Sequence, residues 1–153
     1  MIWNGRDARL YQQEKSFIDS AVIPLLPIDF GNEMRRSASH GEYIQLFSKC
    51  LEKQFRGRIM LFPAIVYLSQ EITDEKSSLL NRWSDLLHEE GFMHLFFITS
   101  DANWKSRESQ LKGTLIWLPA TPMEDMDDSF KYDFIENQVK QYVHKILEKW
   151  EKQ

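Results

Sequence analysis

The sequence is poor in the residues that build familiar metal, redox and nucleotide sites. Its one cysteine, Cys50, excludes a disulfide within the chain and a cysteine-based zinc site within one chain. Its six glycines, at positions 5, 31, 41, 57, 91 and 113, are scattered. Neither G-x-G-x-x-G nor G-x-x-x-x-G-K-[ST] occurs, so no glycine loop lets the backbone approach a phosphate closely, which argues against a Rossmann-type dinucleotide site and a P-loop. There is no long basic run, and the net charge is 19 − 23 = −4. Duplex nucleic acid and anionic membrane surfaces are therefore not expected as partners. No run reaches the roughly 18 apolar residues of a membrane helix. The opening residues MIWNGRD lack the apolar stretch of a signal peptide. A cytoplasmic protein without membrane insertion, metal or cofactor is the expectation.

What is present is an alternation. Four short apolar runs, at 21–28, 59–68, 92–98 and 114–118, are separated by segments with helical spacing. In 153 residues this predicts one α/β domain spanning 1–153. The architecture is three-layered, with a four- to five-stranded, mostly parallel sheet flanked by about five helices. A mixed sheet with one antiparallel edge strand would leave the same pattern. Helices are expected near 6–19, 42–55, from Thr73 to Gly91, and 130–150. Residues 30–40 read as a polar loop. Leu79, Leu80, Trp83, Leu86 and Leu87 read as the buried stripe of the third helix. Pro24 and Pro27 cannot donate ladder hydrogen bonds, so the first strand is expected to be irregular, at an edge, or short. Pro63 predicts a bulge, or a turn, within the second run.

The chemistry-bearing residues are judged by their surroundings. His40, His88, His94 and His144 show no H-E-x-x-H spacing. His88 reads as a helix C-terminal residue, and His94 as a half-buried strand residue bonded to a neighbour. Cys50 falls on an apolar helix face, where a free thiol acts as a small hydrophobe. The acidic stretch from Glu124 to Asp128 has carboxylates suited to a hard cation but lacks EF-hand spacing. It reads as a solvated loop capping the last helix.

Position then selects a rim. In open α/β sheets ligands bind beyond the carboxyl ends of the strands, where Asp29, Asn32, Tyr67, Ser69, Ser100, Asp101 and Thr121 fall. Asp29 and Asp101 each follow an apolar strand directly and are the candidates for acid or base work, with Ser100 beside them. The bland alternative for each is capping. Arg35 and Arg36, beside Ser37 and Ser39, are candidates for contacting an anion.

The stretches AVIPLLPID (21–29) and GEYIQLFSKCLEKQFRGRIMLFP (41–63), with the early Trp3, resemble the YpiF-like family of uncharacterised Bacillus-type proteins. The resemblance runs along nearly the whole chain. It implies a cytoplasmic protein of a spore-forming Gram-positive bacterium and carries no catalytic residue with it. At the level of fold, the strand–proline–loop–helix–strand order is similar to the N-terminal α/β domain of TolB-type proteins. The reading that follows is a non-catalytic binding or accessory module acting through an unknown protein partner or a homodimer. Its long C-terminal helix or an open sheet edge would be the contact surface. The alternatives are a small hydrolase-like enzyme using Asp29 and Asp101, and a small-anion sensor using Arg35 and Arg36.

Overall fold

The structure, a computed structural model, describes residues 1–152. Strand β1 (Ser20–Ile28) carries apolar side chains on both faces: Ala21, Ile23 and Leu25 enter one core, Val22 and Leu26 the other. A strand buried on both faces needs a covering layer on each. β2 (Ile59–Leu61) and β3 (Ile65–Leu68) run parallel to β1 along one edge; β4 (His94–Thr99) runs parallel along the other, with β5 (Thr114–Trp117) outside it. The spatial order is β2-β1-β4-β5, with β3 continuing the line of β2 along β1. All five strands are parallel.

Crossover geometry places the helices. The step from β1 to β2 through α2 (Met34–Gln54) goes one way across the sheet, and the step from β3 to β4 through α3 (Asp74–Glu90) goes the other. Right-handed connections running in opposite directions put their helices on opposite faces. α1 (Gly5–Gln13), α3 and the 3₁₀ stretch Ala102–Gln110 accordingly share one core with the sheet. α2, α4 (Asp128–Tyr142) and α5 (His144–Glu151) share the other. The three-layer α/β class expected from the apolar runs is the one observed.

Several expectations need correction. β1 is neither an edge strand nor short; it is central and runs its full nine residues. Its prolines fall where no ladder bond is missed. Val22 O accepts from Phe62 N–H, so by the two-residue alternation of a strand Pro24 turns its bare nitrogen toward the same neighbour. There the neighbouring line is broken at 62–64, around Pro63, where it carries one residue more than β1 does: Val22 pairs with Leu61, Leu25 with Ile65. Pro27 faces β4 beyond its paired residues, which end opposite Pro24. The bulge or turn expected at Pro63 is this break.

α1 stops at Gln13, and a 3₁₀ turn, Lys15–Phe17, replaces its last part. Its buried residue is Tyr11, stacked on Phe92, while Leu10 and Phe17 are exposed. The segment expected as a loop at 30–40 is a 3₁₀ turn, Gly31–Glu33, followed by the first two turns of α2. The buried line of α3 is Ser77, Leu80, Ser84 and Leu87; Leu79, Trp83 and Leu86 are exposed. Thr73 caps that helix and Gly91, at φ 123°, ends it, as expected. The last helix breaks at Val143 into α4 and α5, which pack Ile135, Val139 and Ile146 onto the sheet. His94 is half-buried, but its Nε2 has no hydrogen-bond partner among the described residues.

Candidate functional site

The reversal of chain direction across the sheet leaves a crevice at the carboxyl ends of β1 and β4, where α2 leaves one face and the 3₁₀ stretch leaves the other. A cleft of about 630 Å³ opens there. Its walls come from the ends of β1, β3, β4 and β5 and the start of α2, including Asp29, Arg36, His40, Ser69, Ser100, Asp101 and Trp117.

Each wall is fixed by local bonding. Ser37, on the first turn of α2, donates to Pro27 O at 2.8 Å and accepts from Asp29 N–H at 3.1 Å. This pins the helix start against the end of β1. The Asp29 Oδ1 accepts from the Ser69 hydroxyl, which ties β1 to the residue after β3. Its other oxygen takes no internal bond among the described residues. Asp101 is buried, and both of its oxygens are engaged: Oδ2 accepts from Tyr67 O–H at 2.8 Å and Oδ1 from Asn103 N–H at 3.0 Å. The Tyr67 hydroxyl oxygen in turn accepts from Trp104 Nε1–H at 2.7 Å. Burial, then the neighbouring Asp101 charge, pushes the Tyr67 phenol far above its ordinary range, so it stays a neutral donor. Thr99 Oγ1 donates to Leu25 O and accepts from Asp101 N–H, both at 3.0 Å.

Ser100 differs from its neighbours. It is 8% exposed, and its Oγ is sheltered from solvent with no hydrogen-bond partner among the described residues. Its backbone O accepts from Trp117 Nε1–H at 3.1 Å, fixing the indole at the rim. Lys105 Nζ lies 3.5 Å from the Trp117 ring centroid, a close cation–π contact. His40 is half-buried; burial, reinforced by Arg36, holds its imidazole below the ordinary value against the pull of Asp101.

The sequence-selected residues divide accordingly. Asp29, Ser69, Ser100, Asp101 and Arg36 line one cleft. Tyr67 lies beneath it as the partner of Asp101. Asn32 sits on the exposed turn before α2, and Thr121 follows β5; neither lines the cleft. Arg35 turns away to Glu124 at 3.1 Å, and Ser39 joins the same carboxylate. Asp127 caps α4 by accepting from Phe130 N–H at 2.8 Å. The acidic loop thus bonds to its own protein at both ends. Sequence reading missed His40, Ser37 and Trp117 as cleft residues. The spacing Arg36–Ser37–His40 marks one helical face, but only once α2 is known to begin at Met34.

Outside the cleft, Cys50 lines a pocket of about 240 Å³ between α2 and α4, with Leu46 and Ile135. Burial, then Glu136, pushes its thiol up, away from the reactive thiolate. His88 Nδ1 bonds Phe92 O at 2.9 Å, closing the end of α3. Among the described residues no group of three or more His, Cys, Asp or Glu side chains is arranged to hold a metal ion. No helix of the described residues is long and apolar enough to cross a membrane.

Fold and cleft together define an all-parallel, doubly wound α/β protein with a polar crevice at its switch point. The chain belongs to the family described as "Protein of unknown function (DUF2487)", whose model matches residues 9–150. It is 34% identical over 151 residues to the "Uncharacterized protein YpiF" of Bacillus subtilis (strain 168), covering 98% of each chain. No solved structure matches the chain, so the likeness to the TolB N-terminal domain gains no support from that comparison.

Proposed function

We propose that this protein is a non-catalytic module that binds a small polar ligand in the switch-point cleft. The observation that carries the reading is the unequal satisfaction of the cleft's polar groups. Both oxygens of Asp101 and one of Asp29 already accept internal hydrogen bonds. Ser100 Oγ does not. Carboxylates tied down in this way are placed to hold and orient, while a buried hydroxyl without a partner is costly unless something fills it. The hydrolase alternative asks the same carboxylates to exchange protons, and the bonding of Asp101 works against that. The lone cysteine supports a cytoplasmic setting.

The test is a thermal-shift screen of polar metabolites on the wild-type chain and on Ala120→Trp, which fills the cleft from a half-buried position on its wall. The expected result is a compound that raises Tm in the wild type and has no effect in the variant. Stabilising compounds that act equally on both, or none at all, would overturn the reading.

A second reading rests on α3. Leu79, Trp83 and Leu86 are 37–56% exposed along one line of that helix, an apolar stripe of the kind that protein partners cover. The C-terminal helix is a poorer contact surface, since α4 and α5 bury their stripe on their own sheet. The stripe would be the accessory-protein surface, or a dimer contact that light scattering on concentrated protein would reveal.

A further inference from the structure

The charges lining the cleft say what kind of ligand fits it. Asp29, Glu33 and Asp101 line it, against a single arginine, Arg36. Arg36 Nη1 lies 3.6 Å from Glu33, so these two offset one another. Asp29 and Asp101 are left with neutral partners only: the Ser69 hydroxyl, the Tyr67 phenol and the Asn103 amide. His40 adds no second positive charge near neutral pH, because burial and Arg36 hold it in the neutral form. Arg35 is drawn off to Glu124, and the Lys105 ammonium sits over the Trp117 ring, outside the lining. A concave, partly desolvated site with an excess of one sign concentrates counter-ions of the other. An anion would enter against two uncompensated carboxylates.

A second, independent feature points the same way. Ser100 lines this cleft, nine-tenths buried, with an unpartnered Oγ. The second oxygen of Asp29 also lacks an internal donor among the described residues. A hydroxyl lone pair and a free carboxylate oxygen are acceptors, and an ammonium group brings three donors and no acceptor. Binding to a charged group makes both bonds stronger than neutral ones.

We propose that the cleft takes a small primary amine, its ammonium held by the Asp29 carboxylate and the Ser100 hydroxyl. This rests on the cleft being the ligand site, as proposed above, and adds the chemical class. It runs opposite to an anion sensor built on Arg35 and Arg36.

The experiment is a ¹H–¹⁵N titration of the full chain with ethanolamine and 1,4-diaminobutane, and separately with sodium phosphate, at matched ionic strength. The expected result is saturable movement of the Asp29, Ser100 and Asp101 amides with the amines alone. Affinity should fall about tenfold in Ser100→Ala and in Asp29→Asn, the scale of one lost hydrogen bond to a charged group. Ser100→Ala removes a hydroxyl that bonds nothing in the fold, so it keeps the test open if Asp29→Asn fails to fold. Phosphate moving these amides while the amines do not would overturn the amine assignment and leave the cleft standing as the site. Amines saturating elsewhere on the surface, or neither probe moving the cleft amides at tens of millimolar, would overturn both.

Discussion

Tyr67 shows how much one atom of this structure carries. Its hydroxyl donates to Asp101 and accepts from the Trp104 indole, and all three side chains are buried. Tyr67→Phe strands a carboxylate and an indole N–H together. The expected cost is about 3 kcal/mol in urea unfolding, more than the typical loss of one hydrogen bond, because both former partners stay buried. A cost below about 1 kcal/mol would mean that water reaches Asp101. The rim was legible in the sequence for a related reason: Asp29 and Asp101 follow apolar runs, and the end of a parallel strand is where a polar side chain meets the crevice. What lay beyond reach was the bonding. Nothing in the sequence sets Ser69 against Asp29 or Tyr67 beneath Asp101, contacts that span 40 and 34 residues. Arg35 and Arg36 are neighbours in sequence, yet helical geometry sends one to Glu124 and the other to the cleft.

Elements depart from their sequence pattern where polarity has a tertiary cause. The polar look of residues 30–40 suggests a loop, but Ser37 is polar because it holds the end of β1. α3 departs from its pattern in the opposite sense. Three of its five large apolar side chains, Leu79, Trp83 and Leu86, face outward, while Ser77 and Ser84 share the buried line with Leu80 and Leu87. Two variants separate those faces. Leu80→Ala, at a fully buried position, should cost about 2–5 kcal/mol, and Leu79→Ala, one residue away and exposed, less than about 1 kcal/mol. Equal losses in chemical denaturation would show that the outer stripe is packed in solution. The prolines of β1 taught a similar lesson. Their backbone restriction is real, but the partner strand breaks where Pro24 needs it to, which pattern reading of one strand cannot show.

For the whole molecule, titration sets an acid limit. Burial first, then Arg36, lowers His40, and burial first, then Arg58, lowers His94, each from an ordinary 6.5. A histidine whose folded value is depressed takes up protons more readily when unfolded. Stability is therefore full above pH 6.5 and declines as pH falls below it. Asp19 and Glu52 add a second stage. Burial would raise both, but Arg58 and Ser20 hold Asp19 down, as Arg56 and the Met1 amine do Glu52. Their contribution is present above the ordinary carboxylate range and lost as pH falls through and below it. Tm should therefore drop in two steps on acidification, and His94→Phe should remove part of the first; a flat Tm from pH 7 to 5 would contradict this. The central position of β1 has a consequence in time as well as in energy. As the chain emerges from the ribosome, β2 and β3 become available to one side of β1 soon after α2. Its other side waits for β4, which follows only after all of α3. For that interval the nascent chain presents an open parallel edge flanked by Val22 and Ile23, a template for mispairing that closes only when the second half of the protein arrives.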